Sequence, residues 1–261
     1  MKADYKNWVP LGMALGFGAA GAVLTAGALA AQKLPLNREV KKGAGIVLGL
    51  GAAGCLAWTG WCCAARKAFS YDGDRKLSKQ IVEGTAEYVT LPEGGVGLDV
   101  GCGSGALTIA CAKRNPRARM VGVDRWGPEY ASFSKARCEQ NAKAEGVTNV
   151  RFQKGDACRL EFADESFDAV TSNYVYHNIS GVNKQKLLRE TLRVLKKGGT
   201  FAIHDLMEKA RYGDMEKFAE ELRAEGYEEV RLIPTANGMF MSKREGLCYF
   251  LAGSTLLVGK K

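Results

Sequence analysis

The stretch Val96-Gly97-Leu98-Asp99-Val100-Gly101-Cys102-Gly103-Ser104-Gly105-Ala106-Leu107-Thr108-Ile109-Ala110-Cys111-Ala112 decides how this chain is read. Val96 to Val100 is a short apolar run, predicted as a buried strand, and it enters a loop with glycine at every second position. From Gly105 to Arg114 a helix follows, so the unit is strand, glycine loop, helix. Glycines let a backbone approach a ligand closely, and the helix N-terminus favours the ligand's anionic end. Alone the loop is ambiguous, because Gly101-x-Gly103-x-x-Ala106 also satisfies the dinucleotide pattern.

The flanking sequence alternates strands with helices. Leu77, Ile81, Thr85 and Tyr88 share one face of a helix expected over Asp74 to Val89. Strands are expected at Arg119 to Val123, Asn149 to Lys154, Phe167 to Ser172, Thr200 to His204, Glu229 to Ile233 and Ser254 to Val258. Helices are expected from Pro128 to about Glu145, with Gly146 as the stop, and from a cap at Asn183 to Lys197-Gly198-Gly199. Another covers Asp214 to Glu225. Such alternation predicts an α/β fold with a parallel sheet covered by helices on both faces.

Asp124 ends the second strand, 19 residues beyond Gly105, where a carboxylate accepts hydrogen bonds from ribose hydroxyls. Asp156, in Gly155-Asp156-Ala157, follows the third strand and suits an adenine amino group. Either aspartate also serves as a turn cap. With Leu98 to Gly105, Asp124 and Gly155 to Ala157, the runs Phe162-Ala163-Asp164-Glu165-Ser166-Phe167-Asp168 and Arg193-Val194-Leu195-Lys196-Lys197-Gly198-Gly199 resemble the successive motifs of class I S-adenosylmethionine-dependent methyltransferases. The likeness covers roughly residues 71 to 261 and is nearest to the group holding the ubiquinone and menaquinone C-methyltransferases. It implies a Rossmann-like, mostly parallel seven-stranded sheet with the last strand antiparallel. It further implies that Gly101 and Gly103 approach the methionine moiety, Asp124 holds the ribose, Asp156 and Ala157 contact adenine, and Asn173 gives a backbone group near the methionine amine. Tyr71, Asp99, Cys102, Gly105 and Arg125 complete the expected donor contacts.

Two departures from the family pattern matter. Asn173-Tyr174 lacks the proline sequence of the nucleic-acid and glutamine amino-methyltransferases, and Arg125 stands where an apolar residue is usual, leaving Trp126 to stack on adenine or to serve packing. Methyl transfer asks chiefly for positioning, with a base only where the acceptor holds its proton. The chain has two histidines, His177 beyond the fourth strand and His204 at the end of the fifth, and both are candidate bases, with Tyr174 and Tyr176 as acceptor-pocket walls. Gly238 to Tyr249 is read as an acceptor lid, a membrane contact or a plain hairpin loop.

Ahead of this domain, Trp8 to Ala31 holds 24 residues without a charge, about 36 Å as a helix. Gly43 to Ala65 is a second such run, bracketed by Lys41, Lys42, Arg66 and Lys67. The reading is a two-helix transmembrane hairpin over residues 1–66, with spans at about 8–31 and 43–65, followed by a methyltransferase domain over residues 67–261. A cleaved signal peptide competes, since Lys2 and Lys6 precede the first run and Ala28-Leu29-Ala30 resembles a cleavage site. Gly12, Gly16 and Ala20, and Gly45, Gly49 and Ala53, form small-residue faces for packing within the hairpin or for a homodimer.

The net charge of +9 concentrates at the start: residues 1–70 carry a net +6. Basic residues beside apolar spans suit a lipid bilayer, and a nearly neutral soluble part argues against nucleic acid as partner. No pair among the eight cysteines shows C-x-x-C spacing, so reduced thiols and no metal site are expected, in keeping with a cytoplasmic catalytic domain. The expectation is therefore an integral membrane methyltransferase using S-adenosylmethionine on a small, lipophilic acceptor such as a quinol, isoprenoid, sterol-like compound or lipid amine. A small thiol or metalloid acceptor, an NAD(P)-dependent oxidoreductase and a catalytically silent membrane scaffold are the alternatives. The oxidoreductase lacks the tyrosine-x-x-x-lysine pair of short-chain reductases.

Overall fold

The computed structural model describes residues 2–127 and 132–261. Contacts divide it into two compact units, Asn7–Ser78 and the combination of Met1–Lys6 with Lys79–Lys261.

The first unit is a helical hairpin, α1 (Leu11–Lys33) and α2 (Arg38–Phe69). Pro10 occupies the N-cap of α1, and Asn37 caps α2 by accepting from the Val40 amide at 2.8 Å. Close approach of the helices rests on glycine, but of the glycines on the faces read from the sequence only Gly45 takes part, its added Cβ falling 3.0 Å from Gln32. Added Cβ atoms at Gly18, Gly21, Gly27 and Gly51 would touch Thr59, Leu56, Leu48 and Leu24, whereas Gly12, Gly16 and Gly49 have nothing within 4 Å. Four-residue spacing finds small-residue faces; which one meets the neighbouring helix depends on where the turn sets the register. At that turn Gln32 and Lys41 exchange two bonds of 3.0 Å. The division expected at residue 66 lies inside α2, where Ala65, Ala68 and Phe69 are buried.

The second unit contains α3 (Leu77–Ala86), most of which it holds from Lys79 on, then β1 (Val96–Val100), α4 (Ala106–Arg114), β2 (Arg119–Asp124), α5 (Lys135–Ala144), β3 (Val150–Lys154), β4 (Phe167–Asn173), α6 (Lys184–Arg193), β5 (Leu195–Leu206), α7 (Lys209–Tyr212), α8 (Met215–Ala224), β6 (Glu228–Pro234), α9 (Lys243–Cys248) and β7 (Ser254–Lys260). The strands form one seven-stranded sheet in the order β3-β2-β1-β4-β5-β7-β6, in which β7 alone runs antiparallel to its neighbours. From β1 the chain winds outward through β2 to β3, and from β4 it winds the other way. Right-handed crossovers then put α4 and α5 on one face and α6 on the other. The crevice outside the carboxyl ends of β1 and β4 is the place where such sheets bind ligands.

One side of the sheet packs Leu98, Val170, Phe201, Ile203 and Leu257 against Leu187, Leu188 and Leu192 of α6 and Phe218 and Leu222 of α8, all buried. Truncating any of these leucines to alanine costs about 2–5 kcal/mol. Asn183 caps α6 as expected.

Three boundaries differ from the sequence reading. Pro128 lies outside the described residues, and α5 starts at Lys135, where the Ser134 hydroxyl accepts from Arg137 N. Helix α6 stops at Arg193, and Leu195 to Gly199 belong to β5, because Leu195 pairs with Phe167 and Lys261 N bonds Gly199 O. The segment after β6 holds a short helix, α9, closed by a capping box between Ser242 and Glu245.

Candidate active site

Three loops converge where β1, β2 and β4 end. After β1 the backbone turns left-handed at Gly101 (φ +73°), Gly103 (φ +54°) and Gly105 (φ +82°). A Cβ on Gly101 would overlap Val175, which follows β4, so the two loops lie in contact. Asp124 braces the glycine turn: its Oδ2 accepts from Gly103 N at 2.9 Å and its Oδ1 from Trp126 N at 2.7 Å. Trp126 takes a left-handed backbone (φ +43°) and folds back so that its indole Nε1 donates to Gly103 O at 2.9 Å. The indole edge thus sits on the glycine loop, in a place the sequence did not specify.

Asp99 is buried and accepts from the Thr108 hydroxyl at 2.6 Å; burial pushes its carboxyl up to about 7. Burial also pushes the Cys102 thiol up. The Asp99 bond ties β1 to Thr108 of α4 directly below the glycine loop. Asp156 and Arg125 are exposed, and Asp156 Oδ1 accepts from Cys158 N at 2.8 Å. Tyr71 belongs to the other compact unit, and its assignment rests on the sequence alone.

At the ends of β4 and β5 the side chains sort by the pleat. His204 and Asp205 are adjacent on β5, so they point to opposite faces. His204 is fully buried between Asn173 Oδ1 and Thr235 Oγ1, each 2.8 Å from a ring nitrogen. Burial lowers its pKa to about 3, and both of its ring nitrogens are taken up by these two bonds. Tyr174 stands at φ +54° with its hydroxyl 2.5 Å from Ser254 Oγ, and burial raises its pKa. It presents a ring, 4.7 Å from that of His204, and no free hydroxyl. Tyr176 is a core residue, bonded to Thr191 at 2.6 Å.

His177 behaves differently. Its Nδ1 lies 2.5 Å from Asp205 Oδ1, while Asp205 also accepts from Tyr176 N, His177 N and Leu206 N at 2.8, 3.2 and 2.7 Å. Burial raises the Asp205 pKa, but the His177 bond and charge, with the Leu206 amide, outweigh it and hold the carboxyl below its ordinary value. An ionised Asp205 only accepts, so by this network Nδ1 carries the hydrogen and Nε2 is the ring nitrogen outside the bond. The His177 side chain is 16% exposed, and its partner is fully buried. A ring nitrogen within reach of solvent and an orienting carboxylate beneath it is the geometry that a base requires. Asp205, Ser254 and Thr235 were not picked out as site residues from sequence, whereas Phe240 lies in the Gly238 to Tyr249 segment read as an acceptor lid; the packing of separate elements brings all four here.

Residues 92–240, more than half of the chain, match the methyltransferase-domain family. The chain belongs to that family. Its domain is that of a class I methyltransferase with S-adenosylmethionine as methyl donor, which settles what the glycine loop left open and sets the nicotinamide alternative aside. The methyltransferase is 30% identical over 151 residues to a 2-phytyl-1,4-naphtoquinone methyltransferase of Thermosynechococcus vestitus, a match covering 58% of this chain and 60% of that one. It is 34% identical over 128 residues to an arsenite methyltransferase of Halobacterium salinarum, covering 49% of this chain and 31% of the relative. The methyltransferase thus spans less than two thirds of either relative's length. The solved [4+2]-cyclase SpnF shares its fold at a TM-score of 0.51 and 21% identity, over 70% of this chain and 81% of that one.

Proposed function

We propose that this methyltransferase is membrane-anchored and methylates a small lipophilic acceptor that carries a removable proton, a quinol or similar phenol being the fitting chemistry. The observation that carries this reading is the His177–Asp205 pair, because a base is useful only where the acceptor must lose a proton. The chemical class also draws support from the naphthoquinone methyltransferase among its relatives. Exposed Leu247 (69%) and Phe250 (61%) beside Lys243 and Arg244 suit contact with a lipid surface.

The donor is assigned to the ends of β1, β2 and β3, adjoining strands that align Gly101 and Gly103, Asp124, and Asp156 with Ala157 along one crevice. Left-handed glycines leave room for a backbone approach to the methionine moiety, and each Asp124 oxygen keeps accepting capacity for a ribose hydroxyl beside the one amide it holds. Asn173 gives a backbone group near the methionine amine. Bound S-adenosylmethionine supplies an electrophilic methyl group whose bond pair leaves with the sulfur. His177 Nε2 would take the acceptor's proton. Asp205 holds the ring and stabilises the imidazolium. Tyr174 and Phe240, on either side of buried His204, give the acceptor apolar ring surface.

Two helices of 23 and 32 residues, each with only 11% of its most apolar window buried, support the anchor. Supply of donor supports a cytoplasmic active site, and the outward Gly12, Gly16 and Gly49 suit a homodimer.

A second reading, transfer to a trivalent metalloid or small thiol, has support from the arsenite methyltransferase among the relatives. A metalloid attacks with its own lone pair and needs no base. The test is to incubate the full chain with methyl-labelled S-adenosylmethionine and a total membrane lipid extract, arsenite or a small thiol in parallel arms. Label in the isoprenoid quinone fraction, lost in His177→Ala, is expected. Label in the arsenite arm that survives His177→Ala overturns the reading.

A further inference from the structure

The beginning of the chain is seated on the methyltransferase unit behind the glycine loop. Asp4 N donates to Asn141 Oδ1 at 2.7 Å, and Asn141 Nδ2 donates back to Asp4 O at 3.1 Å, so one side-chain amide pairs with one backbone unit as a strand neighbour would. The same Nδ2 donates to Ser104 O, inside the glycine loop, at 2.9 Å. Asn141 is only 2% exposed, and these three bonds occupy both ends of its amide. One turn earlier on α5, Arg137 pairs with Asp4 Oδ2 at 2.9 Å, and Cys138 Sγ donates to Gly103 O at 3.2 Å. Lys6 Nζ adds a 2.7 Å pair to Asp4, and Tyr5 is buried. Arm, α5 and glycine loop are thus three layers joined through Asn141.

We propose that residues 2–6 belong to the donor-binding machinery, with Asp4 and Asn141 as positioning residues that hold the Ser104 carbonyl and so keep the Gly101–Gly105 turn in its donor-binding form. The inference rests on the assignment of that turn and Asp124 to the donor. Its physical reason is entropic. A turn with three left-handed glycines has many conformations open to it, and a donor must bear the cost of ordering the turn unless something else already has. Asn141 is that constraint, and it is complete only when the arm is seated. Coupling of this kind is reciprocal: if the seated arm tightens donor binding by some factor, bound donor tightens the arm by the same factor. Residues 7–10 run from the arm directly into α1, so donor occupancy is linked along the chain to the first helix.

The test measures equilibrium binding of labelled S-adenosylmethionine to the full chain in detergent, to a variant lacking residues 2–6, to Asn141→Ala and to the combination. Expected are roughly tenfold weaker binding in each single variant and no further loss in the combination, since both remove one constraint. A synthetic peptide of residues 1–9 in excess should restore binding to the deletion variant but not to Asn141→Ala, a rescue that general destabilisation does not give. Deletion that leaves binding within twofold, or losses that simply add, overturns the inference. If the deletion variant does not accumulate folded, Asp4→Pro removes the amide hydrogen given to Asn141 and carries the same outcomes. Asp124→Ala serves as control. If it keeps donor affinity, the donor assignment falls and the arm's role with it; if it loses affinity while the arm variants do not, only the arm's role falls.

Discussion

His177 and Asp205 meet at 2.5 Å across the ends of β4 and β5, one partner reaching solvent and the other buried beneath it. Removing the imidazole should lower turnover by about 10²–10⁴-fold, the usual contribution of a positioned base. Donor affinity should not change, because His177 is absent from the β1–β3 crevice. Initial rates of His177→Ala with the acceptor found in the labelling experiment, beside calorimetric donor binding, check both halves. Asp205→Asn should lose rate as well, since an amide does not fix the ring hydrogen on Nδ1.

Asp99 predicts a pH dependence of stability. Its carboxyl titrates near 7 in the folded chain, raised chiefly by burial, against about 3.9 when unfolded. The folded state therefore holds the proton more tightly, and the resulting stabilisation is whole below about pH 3.9 and lost as pH rises through about 7. Asp99→Asn cannot ionise yet still accepts from Thr108. Its melting temperature should match wild type near pH 4 and exceed it at pH 8, by up to about 4 kcal/mol of stability at three pK units. A difference that is the same at both pH values contradicts this.

Gly101→Ala should weaken donor binding by about tenfold or more. The residue stands at φ +73°, and a Cβ there overlaps Val175. The backbone penalty alone is about 1–2 kcal/mol, and the displaced Val175 lies two residues from His177. Donor titration reports the first effect, and a slower reaction at saturating donor reports the second.

Gly84 of α3 faces Phe240, whose ring a Cβ at that position would overlap. Gly84→Ala should raise the acceptor KM and leave donor affinity as it is, because Phe240, edge-on to His204 at 5.5 Å, is a wall of the proposed acceptor pocket. An unchanged acceptor KM would remove Phe240 from the pocket wall.

The anchor makes a prediction of its own. With two apolar helices whose outer faces are open, the full chain should stay in the membrane pellet after alkaline carbonate washing and leave it only with detergent. Release by carbonate would mean that α1 and α2 do not span.

The sequence by itself determined whatever repeats along the chain or depends on adjacent residues. Hydropathy period separated strands from helices, uncharged runs marked α1 and α2, and the glycine turn with Asp124 and Asp156 identified the donor family, since each sits at the end of its own strand. It also named His177 and His204 without being able to separate them. That separation is tertiary: register pairs Asn173 with His204, and the pleat turns Asp205 to the opposite face, under His177. The packed face of the hairpin, the indole of Trp126 on Gly103, and Asn141 between Asp4 and Ser104 are of the same kind. Asp4 and Asn141 stand 137 positions apart, and no local pattern encodes a partner at that separation. Periodicity reports which way a side chain faces on its own element; what it meets there is decided by how the elements close on one another.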